Sequence, residues 1–328
     1  MNRHILLQVE GLKKYFPIGG GIFRKPRHFV KAIDGITLSI SRGEIFGLVG
    51  ESGCGKTTIG RCIIRLEEPT EGRIIFDGKE IGGLSRGQMR SLRRDMQMIF
   101  QDPYSSLNPR KTVGRIISEA YGVHGLYSRE ERKERMEELV GLVGLRPEHI
   151  YRYPYEFSGG QRQRICVARA IALNPKLVVA DEPVSALDVS IQAQILNLLA
   201  DLQARLSLTY LFISHDLSVV RHICDRVAVM YLGRIVEQAG RNGLFSRPLH
   251  PYTQGLLSAV PKPDPFSPRK GRKIRGEVAS QIFPPGGCPF HPRCPDAISI
   301  CSETRPELTE VEPGHWTACH RLKRGHLF

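Results

Sequence analysis

Gly50-Glu51-Ser52-Gly53-Cys54-Gly55-Lys56-Thr57 has the spacing of a glycine loop that closes round phosphate oxygens. Glycines let successive backbone N–H groups curl towards one anion, and a helix starting at the loop adds partial positive charge. Lys56 reaches the outer phosphates and the Thr57 hydroxyl is a ligand for Mg2+; Thr58, next in the chain, joins the nucleotide-binding set. Cys54 occupies a variable position and has no chemistry of its own. A second constellation is Leu177-Val178-Val179-Ala180-Asp181-Glu182. An apolar strand there delivers two carboxylates at its C-terminal edge, where ligands bind in open α/β sheets. Asp181 is placed to hold Mg2+ and Glu182 to polarise an attacking water as general base. An acidic pair at a strand end is weak evidence alone; with the glycine loop it describes a site that binds and cleaves a nucleoside triphosphate.

Four of the eight cysteines crowd into the C-terminal stretch as C-x5-C-x6-C-x17-C: Cys288, Cys294, Cys301 and Cys319. Four thiolates in a Pro-rich segment with little core suit a tetrahedral sulfur site for Zn2+ or an iron–sulfur cluster. The spacing fits neither the usual zinc-finger pairs nor the common ferredoxin runs, so it does not name the metal. His291, His315 and His320 are possible substitutes, expected to face solvent. Cys62, Cys166 and Cys224 sit in apolar helical patterns and read as small core residues.

The elements that must position these residues are legible in outline. The chain has 328 residues, 41% apolar and 24% charged, which is ordinary globular usage. No apolar run reaches the roughly 18 residues that span a bilayer. The opening MNRHILLQVEGLKKYF lacks the apolar core of a signal peptide, and the chain is expected to stay in the cytosol. HILLQVEG, VKAIDGITLSI, IFGLVG and RIIFDG read as strands, with a hairpin or surface loop across residues 17–26 and a helix from Lys56. Residues 102–160 read as a helical insertion, with Ser128 and Glu131 forming a capping box. Strand–helix alternation over residues 160–240 argues for a parallel sheet. Beyond about residue 245 the chain turns Pro-rich and mostly irregular, with a basic stretch at 268–276. The fold class is therefore α/β: a phosphate-loop nucleotide-binding domain with an antiparallel β-subdomain and a helical insertion over residues 1–245, and a cysteine-containing extension over 246–328. The formal charge of +14 suits nucleic acid, anionic lipid or a phosphorylated ligand and does not choose among them.

Phe157-Ser158-Gly159-Gly160-Gln161 resembles the signature sequence of ATP-binding cassette (ABC) ATPases. Further matches fall in the family's order. Gln101 in MIFQDPYSSLNP looks like the Q-loop glutamine, Asp188 in SALD like the D-loop, and His215 in FISHD like the switch histidine. Phe16 sits where the family places an aromatic against adenine, with Tyr15 beside it. The resemblance implies ATP and Mg2+ as ligands, the metal held by Thr57, Gln101 and Asp181, and catalysis by Glu182 with His215. It also implies head-to-tail pairing, in which Ser158, Gly159, Gly160 and Gln161 face the ATP held by a partner cassette.

A narrower resemblance lies further on. His250-Pro251-Tyr252-Thr253 and PPGGCPFHPRCPDAISIC are similar to the C-terminal element of ATPases that serve dipeptide and oligopeptide importers. That likeness implies two membrane permeases, a second similar ATPase and an external substrate-binding protein as partners. It places the chain at the cytoplasmic face of the inner membrane, and implies a [4Fe-4S] cluster on the four cysteines, with Zn2+ as the alternative. Importers for nickel or glutathione are related alternatives. A soluble ABC ATPase acting on nucleic acid or the ribosome is the competing class; such proteins carry paired cassettes or coiled-coil insertions, which this chain lacks, so no nucleic-acid partner is expected. Substituting one of the four cysteines is expected to loosen the extension first, and ATP binding by the core to survive largely, because its ligands all precede residue 220.

Overall fold

A computed structural model describes residues 4–19, 27–259, 274 and 276–322. The loop expected at residues 17–26 and the basic stretch at 268–276 fall mostly outside the described residues. In chain order the first half contains β1 (Ile5–Ile18), β2 (His28–Ser41), β3 (Ile45–Val49), α1 (Lys56–Ile63), β4 (Glu71–Phe76), β5 (Lys79–Glu80), α2 (Arg86–Arg93), β6 (Met96–Ile99), α3 (Pro103–Ser106), α4 (Val113–Val123) and α5 (Arg129–Leu142). The second half contains α6 (Gly159–Ile171), β7 (Leu177–Asp181), α7 (Val189–Leu206), β8 (Thr209–Ser214), α8 (Leu217–Ile223), β9 (Arg226–Tyr231), β10 (Arg234–Gly240), α9 (Arg241–Ser246), α10 (Pro251–Ala259), α11 (Ile300–Glu303), β11 (Thr309–Glu312) and β12 (His315–Thr317). These divide into two compact units: Met1–Leu6, Ile40–Glu44 and Gly83–Ile213 form the first, and Leu7–Ser39, Ile45–Gly82 and Ser214–Phe328 the second. No described helix is long and apolar enough to cross a membrane.

In the first unit β6, β7 and β8 pair in parallel, with Met96 opposite Leu177 and Asp181 opposite Ile213. All five residues of β7 are buried, as the unbroken apolar run demands of a strand covered on both faces. The helical segment forms where its start signals lie. Ser128 Oγ accepts from the Glu131 N–H at 3.2 Å, and the Glu131 carboxylate accepts from the Ser128 N–H at 2.6 Å. The same reciprocal cap recurs at Ser85 with Gln88 and at Ser158 with Gln161. Helix α6 packs so closely on α7 that a Cβ at Gly160 would lie 2.6 Å from the Ile191 side chain.

The second unit holds a small sheet in the order β2-β1-β4-β5, antiparallel between β1 and β4 and between β4 and β5. Asp77 (φ 50) and Gly78 (φ 76) make the turn between β4 and β5, both in the left-handed region that a two-residue hairpin of type I′ requires. A further run of strands in this unit goes β3-β9-β10-β12-β11, parallel only between β3 and β9. Strands β11 and β12 add two short strands to an otherwise mostly irregular extension: the chain returns from residue 309 to pair with β10, setting Thr317 opposite Glu237. Strands of four and three residues carry too little pattern to be seen locally.

Glu237 is fully buried and explains how the extension is fastened. Its carboxylate accepts from the backbone N–H groups of Leu249 (2.7 Å) and His250 (2.9 Å), just before α10, and lies 2.7 Å from His315 Nε2. His315 is therefore interior, against the expectation that it faces solvent, because a buried carboxylate needs partners for each oxygen. His250 is buried beside it; its Nδ1 accepts from the Tyr252 N–H at 3.1 Å. Burial lowers its pKa from 6.5 to about 4, with the Glu237 charge and a hydrogen bond to the Ala318 carbonyl acting the other way.

The native chain thus holds His250 neutral where the unfolded chain would protonate it. The stability this contributes is complete above pH 6.5 and drains away as pH falls towards 4, amounting to roughly 3 kcal/mol. Denaturant midpoints measured between pH 7 and pH 4.5 should fall with acidification, and fall less steeply in His250→Asn. Parallel profiles for the two proteins would count against a neutral buried histidine.

Candidate active site

The phosphate loop lies in the second unit, between β3 and α1. Gly55 takes φ 105, and a Cβ there would lie 2.0 Å from the Ala32 carbonyl oxygen, so no other residue fits. At Gly50 the obstacle is the Met230 carbonyl, 2.2 Å from where a Cβ would stand. The loop therefore presses directly on neighbouring backbone, which fixes its path. Lys56 is buried, at 4% exposure, and its ammonium donates to the carbonyls of Gly50 (2.8 Å) and Glu51 (3.0 Å). Cys54 is buried too; burial raises its thiol pKa and the nearby Lys56 charge opposes the rise, so it is an inert thiol under the loop. Ser52 and Gly53 are exposed, and Thr57 and Thr58 half-buried, in the first turn of α1.

In the same unit Phe16 is half-buried near the end of β1, with the Lys14 ammonium 4.8 Å from its ring centre. Tyr15 is committed elsewhere: its hydroxyl donates to Asp34 at 2.5 Å. Burial and that bond raise the Tyr15 pKa. Burial works against ionisation of Asp34, yet the Tyr15 hydroxyl and the Arg234 guanidinium hold its carboxyl below the usual range. His215 is exposed, just beyond β8.

The first unit carries the acidic pair. Asp181 is buried, at 2% exposure, as the last residue of β7, and Glu182 follows with φ 46 and its N–H bonded to the Ile213 carbonyl at 2.9 Å. A left-handed glutamate is uncommon and marks a position where orientation outweighs backbone preference. Gln101 Nε2 donates to Glu182 Oε2 at 2.9 Å, so the structure brings together two residues 81 positions apart. That bond leaves the Gln101 amide oxygen, the atom suited to Mg2+, outside it. The oxygens of Thr57, Gln101 and Asp181 are the hard donors Mg2+ takes. Ser158 is exposed as the cap of α6, with Gly159 and Gly160 in its first turn, and exposed Asp188 precedes α7 without a side-chain cap bond.

The extension reaches the nucleotide loop directly. Tyr252 Oη accepts from the Glu51 N–H at 3.0 Å. Arg293 grips the Glu51 carboxylate with two bonds, of 2.7 and 2.9 Å, and Gln281 Nε2 donates to the Gly53 carbonyl at 2.7 Å. No local pattern signals Arg293 or Gln281, and Tyr252 was visible only as part of a family-like tetrapeptide.

Among the four C-terminal cysteines, Cys288 and Cys301 are buried and Cys294 and Cys319 half-buried. Burial pushes the Cys288 thiol up to about 11, aided by the charges of Cys301, Cys319 and Cys294. Yet among the described residues no group of three or more His, Cys, Asp or Glu side chains is set to hold a metal ion. The expected [4Fe-4S] cluster, like the zinc alternative, gains no support from this geometry. Cys62, Cys166 and Cys224 are wholly buried, as expected of core residues.

Comparison with known proteins accounts for both parts of the chain. Residues 33–185 match the family described as ABC transporter, and residues 236–301 match the oligopeptide/dipeptide transporter C-terminal region. The oligopeptide transport ATP-binding protein AppF of Bacillus subtilis is 55% identical over 322 residues, covering 97% of this chain and 98% of that protein. A putative peptide import ATP-binding protein of Brucella ovis is 54% identical over 316 residues, covering 96% and 98%. Among solved structures, a dimeric ATP-binding cassette in a post-hydrolysis state with ADP and Pi superposes with a TM-score of 0.64 at 28% identity, covering 72% of this chain and 99% of that one. With its phosphate loop, acidic strand end and signature all carried on the cassette fold, this chain belongs to the ABC family of transport ATPases, with the C-terminal region of its oligopeptide and dipeptide members.

Proposed function

We propose that this chain is the ATP-hydrolysing subunit of a membrane importer for dipeptides or oligopeptides. The observation that carries the reading is a match above half identity to a peptide-transport ATP-binding protein, running through both the cassette and the C-terminal region. It favours peptides over nickel or glutathione, and import over a soluble role on nucleic acid. The cassette occupies residues 1–245 and the extension 246–328. The partners are two permeases, a second cassette and an external binding protein, with this chain peripheral at the cytoplasmic face of the inner membrane.

The chemistry assigned to each residue follows from its type and setting. The amides from Gly53 to Thr58 and the Lys56 ammonium receive the phosphates, and Phe16 stacks on the base. Mg2+, held through Thr57, Gln101 and Asp181, supplies charge neutralisation at the phosphates. Glu182 takes the proton of the attacking water, and its bond to Gln101 fixes where that carboxylate points. His215 faces the outer phosphate from the far side of the site. Ser158, Gly159, Gly160 and Gln161 open a helix towards ATP on the partner cassette, with Asp188 at the same junction. The four cysteines would form a sulfur ligand set for a [4Fe-4S] cluster; what supports this is the chemistry of four thiol ligands within one Pro-rich segment.

In the complex reconstituted with permeases and binding protein, Glu182→Gln should retain ATP yet lower ATP turnover and peptide uptake together, by about 10²–10⁴-fold at this site. Normal uptake with the partner's corresponding glutamate also replaced would refute the assignment. Lys56→Ala should weaken ATP binding itself, since an ammonium facing phosphate is removed; calorimetry giving the wild-type affinity would show the loop is misassigned. Full-length chain purified without oxygen should contain about four iron and four sulfide. One zinc per chain would change the metal, and neither metal would end the cluster reading.

A further inference from the structure

Glu51 is an unremarked position of the phosphate loop, yet it is held from three directions. Its N–H reaches the Tyr252 hydroxyl, its carboxylate is gripped by both terminal nitrogens of Arg293, and its carbonyl receives the Lys56 ammonium. Two of the three holding groups come from the C-terminal extension. Neither is a surface contact. Tyr252 is fully buried and the Arg293 side chain is 8% exposed. Around them Tyr231, Tyr252 and Phe290 form a ring cluster with centres 4.8–5.3 Å apart, and Arg293 lies over Tyr231 and reaches its hydroxyl at 3.4 Å. The Arg293 guanidinium is thus held against an aromatic wall while it binds the Glu51 carboxylate.

We propose that Arg293 and Tyr252 are positioning residues for ATP binding: by clamping Glu51 they hold the phosphate loop, and through the Glu51 carbonyl the Lys56 ammonium, so that the extension sets the affinity of the site. The physical case is one of ordering. Close backbone pins Gly50 and Gly55, but the stretch between them, with Gly53 in open space, keeps a glycine's backbone freedom. A loop with that freedom must be ordered when phosphate binds, and that cost is deducted from affinity. Two charge-assisted bonds from a buried guanidinium remove much of the freedom beforehand. Gln281 acts in the same sense two residues along, on the Gly53 carbonyl. Lys56 needs such guidance because its charge, when no phosphate is bound, rests on the Gly50 and Glu51 carbonyls. Moving Glu51 moves the lysine with it.

This rests on the assignment of residues 50–57 as the ATP site, and the experiment separates the two. Mg–ATP affinity is measured by calorimetry on the full-length chain and on Tyr252→Phe, Arg293→Lys, Glu51→Gln and the Glu51→Gln/Arg293→Lys double variant. Tyr252→Phe removes one hydroxyl and keeps the ring cluster, so it should fold. Tyr252→Phe and Arg293→Lys should each weaken ATP binding by about tenfold, as loss of an outer-shell partner commonly does. The double variant should be no weaker than the worse single one, because both act through one contact. In the assembled complex KM for ATP should rise more than kcat falls. Wild-type affinity in folded Tyr252→Phe and Arg293→Lys, or full additivity in the double variant, overturns the proposal while leaving the ATP site intact. Lack of ATP binding by the wild-type chain would remove the site and the proposal together.

Discussion

A buried ammonium must find oxygen partners, and the second unit is arranged around this need at Lys56. The lysine stands at the start of α1 with its charge on two loop carbonyls. Those carbonyls face it only because the loop runs hard against the backbone of Ala32 and Met230, which leaves room for glycine alone at positions 55 and 50. Strand β3 supplies the rigid approach, its five residues buried and paired with β9. A nucleotide's phosphates would take the ammonium from the carbonyls, exchanging one set of oxygens for a more strongly charged one.

The first unit solves a different problem, that of aiming carboxylates. Asp181 ends β7 inside the buried sheet, and Glu182 turns away from it in a left-handed conformation that a glutamate does not choose unaided. The hydrogen bond from the Glu182 N–H to the Ile213 carbonyl and the side-chain bond from Gln101 hold that turn. Backbone strain and one amide set the direction of that carboxylate.

The extension resembles an appendage in sequence and behaves as part of the second unit. Its fastening is a fully buried carboxylate, Glu237, whose oxygens take up two backbone N–H groups ahead of α10 and the ring of His315 from β12. One side chain thereby joins the start of α10 to the end of the chain. That fixes Tyr252 and, through the ring cluster with Phe290, Arg293. Polar groups buried in this way are costly unless every bond is made, so they specify one arrangement of the segment.

Local signals were sufficient for much of this protein. The glycine loop, the apolar run ending in Asp181 and Glu182, and the Ser128 cap each depend on residues within a few positions of one another, and each stands where the sequence places it. Sequence order alone also sufficed for the family, because the signature, the switch histidine and the acidic pair follow in a set succession. Other features needed the folded chain. The short strands β11 and β12 exist only because β10 offers them an edge. His315 is interior because Glu237, 78 positions away, requires a partner. Arg293 meets Glu51 across 242 positions, and no periodicity or spacing encodes a contact of that range. Hydrogen-bond caps and turns are satisfied by neighbours in the chain, whereas buried charges take whichever partner the packing brings, and only the tertiary structure decides which that is.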